Sequence, residues 1–151
     1  MPGLYYEELE IGRHFVHDVT RTVTETDNLL FTTLTHNTQP LHLDIEFCKQ
    51  HSEFGGILVN SVFTFGLMLG VSVSDTTLGT TVANLGMSDV RFPKPVFYGD
   101  TVHVRSTVMS LRQSKSRSDA GIVEFEHVGL NQHGETVAIC RRAAFMKCRP
   151  V

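Results

Sequence analysis

The stretch Leu58-Val59-Asn60-Ser61-Val62-Phe63-Thr64-Phe65-Gly66-Leu67-Met68-Leu69-Gly70-Val71-Ser72 decides how the rest of this 151-residue chain is read. Apolar side chains fall on nearly every side of a helix drawn through it, and a helix apolar all round is a buried one. Asn60 or Ser61 suits its start, because a short side-chain oxygen takes up a free N–H of the first turn. The wider run 57–73 is interrupted by Asn, Ser, Thr and Gly, so it is too polar and glycine-rich for a membrane span. The stretch therefore reads as a buried helix around which the other elements must be arranged.

After Asp75 the apolar pattern changes to period two, which is the signature of strands with one buried face. Strands are expected at 80–85, 87–92, 101–113, 122–131 and 135–147. Between them lie the turn signals Pro93-Lys94-Pro95, Tyr98-Gly99-Asp100, Ser118-Asp119-Ala120-Gly121 and His133-Gly134. Asn131 to Gly134 reads as a short hairpin connection. Before the long helix, residues 14–22 alternate loosely and form a first strand. Thr24 then caps a helix with Asp27 as its capping-box partner and Leu29, Leu30 and Leu34 as its apolar stripe. Asp44 caps a second, short helix carrying Ile45, Phe47 and Cys48, which ends before Gly55-Gly56. Strand, helices, one long buried helix and then long antiparallel strands predict a single α+β domain over 1–151, its sheet wrapped around the helix. Such a sheet has an open edge, and one common remedy is pairing with a second copy.

Composition narrows the function. Hydrophobic content of 41% and charged content of 19% are ordinary for a folded globular protein. A net charge of −3 gives no electrostatic footprint for nucleic acid. Cys48, Cys140 and Cys148 are odd in number and fit neither a disulfide framework nor a zinc spacing, so a reducing cytoplasm is expected. Cys48 and Cys140 sit in apolar or strand-like runs and read as small core residues. Residues 1–11 are acidic and lack the apolar run of a signal peptide.

Polar chemistry concentrates in Thr35-His36-Asn37-Thr38-Gln39-Pro40-Leu41-His42-Leu43-Asp44. Pro40 fixes its own φ and drives Gln39 toward an extended backbone, so the segment before His42 is stiff. Proton transfer needs that kind of placement, which makes His42 a candidate general base; a satisfied loop histidine is the alternative. Asn37 is placed to face it across the turn, and an amide orients a water without deprotonating it. Gly55-Gly56 ahead of Asn60 and Ser61 marks a helix start whose free N–H groups would suit a developing oxyanion, or else simply a turn. Arg91 and Lys94, in a proline-rich crossing, would meet phosphates or a carboxylate, or else need no ligand. Arg112, Lys115 and Arg117 form a basic patch that solvated loop charges explain equally well. Arg141 and Arg142 are expected to point to opposite faces of the last strand.

These motifs together resemble the MaoC-like dehydratase family, which includes the (R)-specific enoyl-CoA hydratases. The family's signature is an Asp, two spacer positions, Pro-x-His and often Leu-x-Asp, with a downstream Pro-Val-Phe-x-Gly-Asp. The matching segments are Asn37-Thr38-Gln39-Pro40-Leu41-His42-Leu43-Asp44 and Pro95-Val96-Phe97-Tyr98-Gly99-Asp100. The likeness runs roughly from residue 5 to residue 146. It implies a hotdog fold, a homodimer with its site in or beside the subunit interface, and an acyl-CoA substrate with no metal or other cofactor. The family's catalytic histidine falls on His42 and its polarising backbone N–H near Ser61. Its catalytic aspartate falls on Asn37, a departure that leaves the proton work to His42.

The resemblance therefore implies an enoyl-CoA hydratase or 3-hydroxyacyl-CoA dehydratase. Catalytic roles fall to His42, Asn37 and Ser61, and substrate contacts to Gly56, Asn60, Arg91 and Lys94. The surrounding wording resembles a branch linked to branched or dicarboxylic acyl groups of the mesaconyl or itaconyl type, with Arg91 or another arginine as carboxylate partner. Two rivals remain: a hotdog thioesterase using Glu53, and a non-catalytic acyl-CoA-binding protein suggested by Asn37.

Overall fold

A computed structural model describes residues 3–150. Three helices are set against a six-stranded antiparallel sheet. The elements in chain order are β1 (His14–Val16), β2 (Arg21–Thr22), α1 (Glu25–Leu34), α2 (Ile45–His51), α3 (Ser61–Thr76), β3 (Thr81–Arg91), β4 (Thr101–Gln113), β5 (Ala120–Leu130) and β6 (Thr136–Lys147). The sheet runs β1-β4-β5-β6-β3, with β2 also pairing with β4. The α3 helix packs on β4, β5 and β6.

Local chemistry sets the element ends as expected. Thr24 and Asp27 make a reciprocal capping box at α1, and the Asp44 carboxylate accepts the Phe47 N–H at 2.9 Å to start α2. The β5–β6 turn is held by the Asn131 side chain, whose Oδ1 accepts the His133 and Glu135 N–H groups. Gly121 on β5 is required by a close approach: a Cβ there would lie 2.3 Å from the Tyr6 ring.

Four expectations are corrected. The segments 80–85 and 87–92 are one strand, β3, which passes through Gly86 with register shifts against β6 instead of breaking. Segment 14–22 is two short strands, because residues 18–20 leave the ladder beyond His17, whose N–H still donates to the Val104 carbonyl at 3.1 Å. The α3 helix is not enclosed: Val62 is 56% exposed, since the sheet covers only one side of it. Helix α1 reverses its expected face. Leu29, Leu30 and Leu34 are exposed, while Asn28 and Thr32 are fully buried.

The inward face of the sheet carries two apolar clusters. Val102, Val104, Ala138 and Cys140 gather with Met68 and Val71 of α3, while Val108, Val123, Phe125, Ala144 and Met146 pack under Leu4, Tyr6 and Leu9. Ser106, His127 and Arg142 occupy successive inward positions on β4, β5 and β6 between the two clusters. Arg142 is buried and Arg141 half-buried on the opposite face, as strand alternation requires.

Candidate active site

A cavity of about 280 Å³ opens at the N-terminal end of α3. His42, Phe54, Leu58, Val59, Ser61 and Thr64 line one side, and Phe92, Pro93, Lys94, Pro95, Val96 and Val137 the other. The Val59 N–H donates to the Val96 carbonyl at 2.9 Å, which joins the two walls.

Pro40 opens a single 3-10 turn, Pro40–His42, that presents His42 to the cavity. Two backbone contacts hold it there. The Leu58 N–H donates to the Leu41 carbonyl at 3.0 Å, and His42 Nδ1 lies 2.8 Å from the Leu58 carbonyl oxygen. A carbonyl only accepts, so Nδ1 carries the proton and Nε2 is the nitrogen left for a cavity molecule. On the opposite side of this wall Asn60 caps α3 through Val62 N–H at 3.0 Å. Ser61 supplies the first amide of the helix at the cavity wall, an N–H that intrahelical bonding does not use. The helix dipole adds partial positive charge at that end.

The remaining residues named from sequence fall in different places. Asn37 is half-buried and its Oδ1 accepts the Gln39 N–H at 3.0 Å, an Asx turn that shapes the loop; it is not among the residues lining the cavity. Gly55-Gly56 forms a turn five residues ahead of α3, with Gly55 at φ +64, and does not start the helix. Asn60 is buried and engaged in its cap. Arg91 ends the exposed β3 edge outside the cavity lining, whereas Lys94 is part of it. Lys94 keeps an exposed, 3.8 Å contact with Glu135, too loose to hold it. Glu53 is exposed and does not line the cavity.

Sequence reasoning missed three contributors. The Leu58 carbonyl fixes the His42 ring, Phe54 adds apolar wall, and Asn28 ties the wall to α1. Only Asn28 left a signal: it sits four residues from Thr32, so one polar strip runs beside the leucines.

A second histidine cluster lies under the C-terminal end of α3. Asp75 Oδ2 accepts from His17 Nδ1 at 2.7 Å, and Ser106 Oγ bridges His17 Nε2 and His127 Nδ1 at 2.7 Å each. Burial, then the charge of Arg142, then His17, hold the His127 pKa down to about 3, so it is neutral at physiological pH. Burial likewise pushes the Cys140 thiol up to about 11, which rules it out as a ready nucleophile. Among the described residues, no group of three or more His, Cys, Asp or Glu side chains is placed to hold a metal ion, and no helix is long and apolar enough to cross a membrane.

A sheet wrapped on one face around α3 defines a hotdog fold. Residues 7–131 match the family model described as MaoC like domain, and the chain belongs to that family. It is 35% identical over 136 residues to a beta-methylmalyl-CoA dehydratase of Chloroflexus aurantiacus, covering 90% of this chain and 38% of that protein. It is also 35% identical over 135 residues to a mesaconyl-CoA hydratase of Cereibacter sphaeroides, covering 89% and 38%. The chain thus spans well under half the length of either relative. Among solved structures, a MaoC-like dehydratase from Rhodospirillum rubrum superposes with a TM-score of 0.85 at 30% identity, over 99% of this chain and 100% of that one. A Mycobacterium tuberculosis protein described as a double hotdog fold matches at 22% identity with a TM-score of 0.87, over 98% of this chain and 45% of its own. That likeness speaks to the fold alone.

Proposed function

We propose that this chain hydrates an enoyl-CoA, or dehydrates the corresponding 3-hydroxyacyl-CoA, at the cavity beside α3. The observation that carries the reading is the pairing of His42, its Nδ1 committed to the Leu58 carbonyl, with the first amide of α3 on one cavity wall. In the proposed reaction His42 Nε2 takes a proton from water as the water oxygen bonds C3 of the conjugated thioester. A proton then returns from the imidazolium to C2, so that water is added across the double bond. The Ser61 N–H holds the thioester oxygen while it carries negative charge. Asn37 serves this site by shaping the loop that carries His42. Coenzyme A enters as part of the substrate and the chemistry calls for no other cofactor.

Two relatives named for branched, carboxylated acyl groups favour a short dicarboxylic enoyl-CoA of the mesaconyl type. Lys94 then replaces Arg91 as the proposed cationic partner for the second carboxylate, because Lys94 lines the cavity and Arg91 does not. The exposed position of Glu53 argues against thioester hydrolysis. We also propose a homodimer. The β3 edge exposes Val82, Leu85, Met87 and Val90, α3 exposes Val62, and a second copy would cover both.

Incubation with crotonyl- and mesaconyl-CoA tests the reading. Loss of the conjugated thioester absorbance without release of free thiol is expected. Thiol release would make the protein a thioesterase, and tight binding with neither signal would make it a binding protein.

A further inference from the structure

We infer that Asn28, on α1, is the positioning residue that sets both the ring orientation of His42 and its spacing from the Ser61 amide; the catalytic part of this rests on the hydratase reading. Asn28 is fully buried in a helix that leaves three leucines in solvent, so its burial is not explained by apolar packing. Its Nδ2 lies 3.1 Å from the His42 carbonyl oxygen, 3.4 Å from the Leu58 carbonyl oxygen and 3.1 Å from Tyr98 Oη. Its Oδ1 accepts the Asn60 N–H at 2.8 Å and faces Thr32 Oγ1 at 3.5 Å.

One amide therefore touches the backbone of both the histidine loop and the segment that leads into α3. The donor end holds the carbonyl of His42 itself and the carbonyl that receives the His42 ring proton. The acceptor end holds the amide next to Ser61. A free imidazole exchanges its single proton between two nitrogens, and the hydrogen bond at one of them selects the tautomer. With the Leu58 carbonyl fixed from behind, the proton stays on Nδ1 and Nε2 stays bare. Without Asn28, two half-buried carbonyls and one buried N–H lose a partner, and the Leu58 carbonyl is free to turn away from the ring. Misplacement by about 1 Å at such a site costs up to about a hundredfold in rate.

The test uses histidine-¹⁵N-labelled protein, with the His42 signals assigned by their loss in His42→Gln. Wild type is expected to show a protonated Nδ1 and a bare Nε2. Asn28→Ala, and the shape-matched Asn28→Asp that keeps the acceptor and loses the donors, should move His42 toward a tautomer mixture. On crotonyl-CoA each should lower kcat by about 10- to 100-fold while KM stays within about threefold. Melting and circular dichroism establish that the variants are folded. A folded variant with the wild-type tautomer and kcat overturns the inference. So does an Nε2–H tautomer in wild type, which decides the matter even if neither variant folds. The nitrogen signals need no substrate: a wild type that hydrates nothing, yet has an Asn28-dependent tautomer, removes the hydratase reading and retains the positioning role.

Discussion

The two ends of α3 hold histidines in opposite conditions. At the N-terminal end His42 is half-buried, has one ring nitrogen tied to a backbone carbonyl, and lines an open cavity. At the C-terminal end His17 and His127 are buried and linked through Ser106, with Asp75 behind His17. On paper the second group, with its acid, imidazoles and hydroxyl in series, has more of the side chains associated with catalysis. It lies between two apolar clusters, however, and Ser106 is 1% exposed. Side-chain inventory therefore does not locate a site by itself; the proposed site rests instead on a ring nitrogen without a protein partner, in the same cavity lining as a free helix amide.

The sharpest break of this comparison is one substitution. His42→Ala should lower kcat for crotonyl-CoA hydration by about 10²- to 10⁴-fold, the range for loss of a general acid–base group, with the melting temperature little changed. A wild-type rate in that variant removes His42 from the proposed reaction.

Acid should act on the other end. The unfolded chain protonates His127 below about pH 6.5, whereas the folded protein resists until about pH 3. The unfolded state thus binds the extra proton between those values, and stability falls as pH drops through the window, by up to about 1.4 kcal/mol per pH unit. Urea melts of wild type and His127→Gln at pH 7, 5 and 4 check this; an equally steep acid loss in the variant would assign the effect elsewhere.

Ser106→Ala should cost about 1–3 kcal/mol of stability, because it leaves two buried imidazole nitrogens without their shared partner. The folded variant should keep wild-type kcat, and a large loss of turnover would give the buried cluster a part in the chemistry. The smallest effect is expected at Lys94. Lys94→Ala should raise KM for mesaconyl-CoA by about tenfold, or about 1.4 kcal/mol, and leave crotonyl-CoA unaffected. Equal losses on both substrates would move the Lys94 contact from the acyl carboxylate to the coenzyme portion.

Much of the architecture was legible along the chain. Period two marked β4, β5 and β6, Thr24 and Asp44 marked their helices, and the apolar run from Leu58 marked α3. Those features depend on neighbours in sequence, where spacing and capping chemistry act directly. The stiffness before His42 was legible for the same reason, since Pro40 acts locally, whereas the Asx turn at Asn37 was not foreseen. Less legible was whatever depends on a distant face. Gly86 read as a break, yet pairing with β6 carries β3 through it. Leu29, Leu30 and Leu34 read as a core stripe, because sequence periodicity reports two faces of a helix without saying which the fold will cover.

By itself, then, the sequence determined the element order, the caps and the stiff histidine loop, all of them consequences of short-range sterics and hydrogen bonding. Only the tertiary structure decided which histidine is reachable and which nitrogen of His42 is bare. It also chose Lys94 over Arg91 for the cavity wall and placed Asn28 behind it. Those outcomes depend on carbonyls and side chains brought together from α1, the histidine loop, the start of α3 and the proline crossing, and no spacing along one segment encodes them.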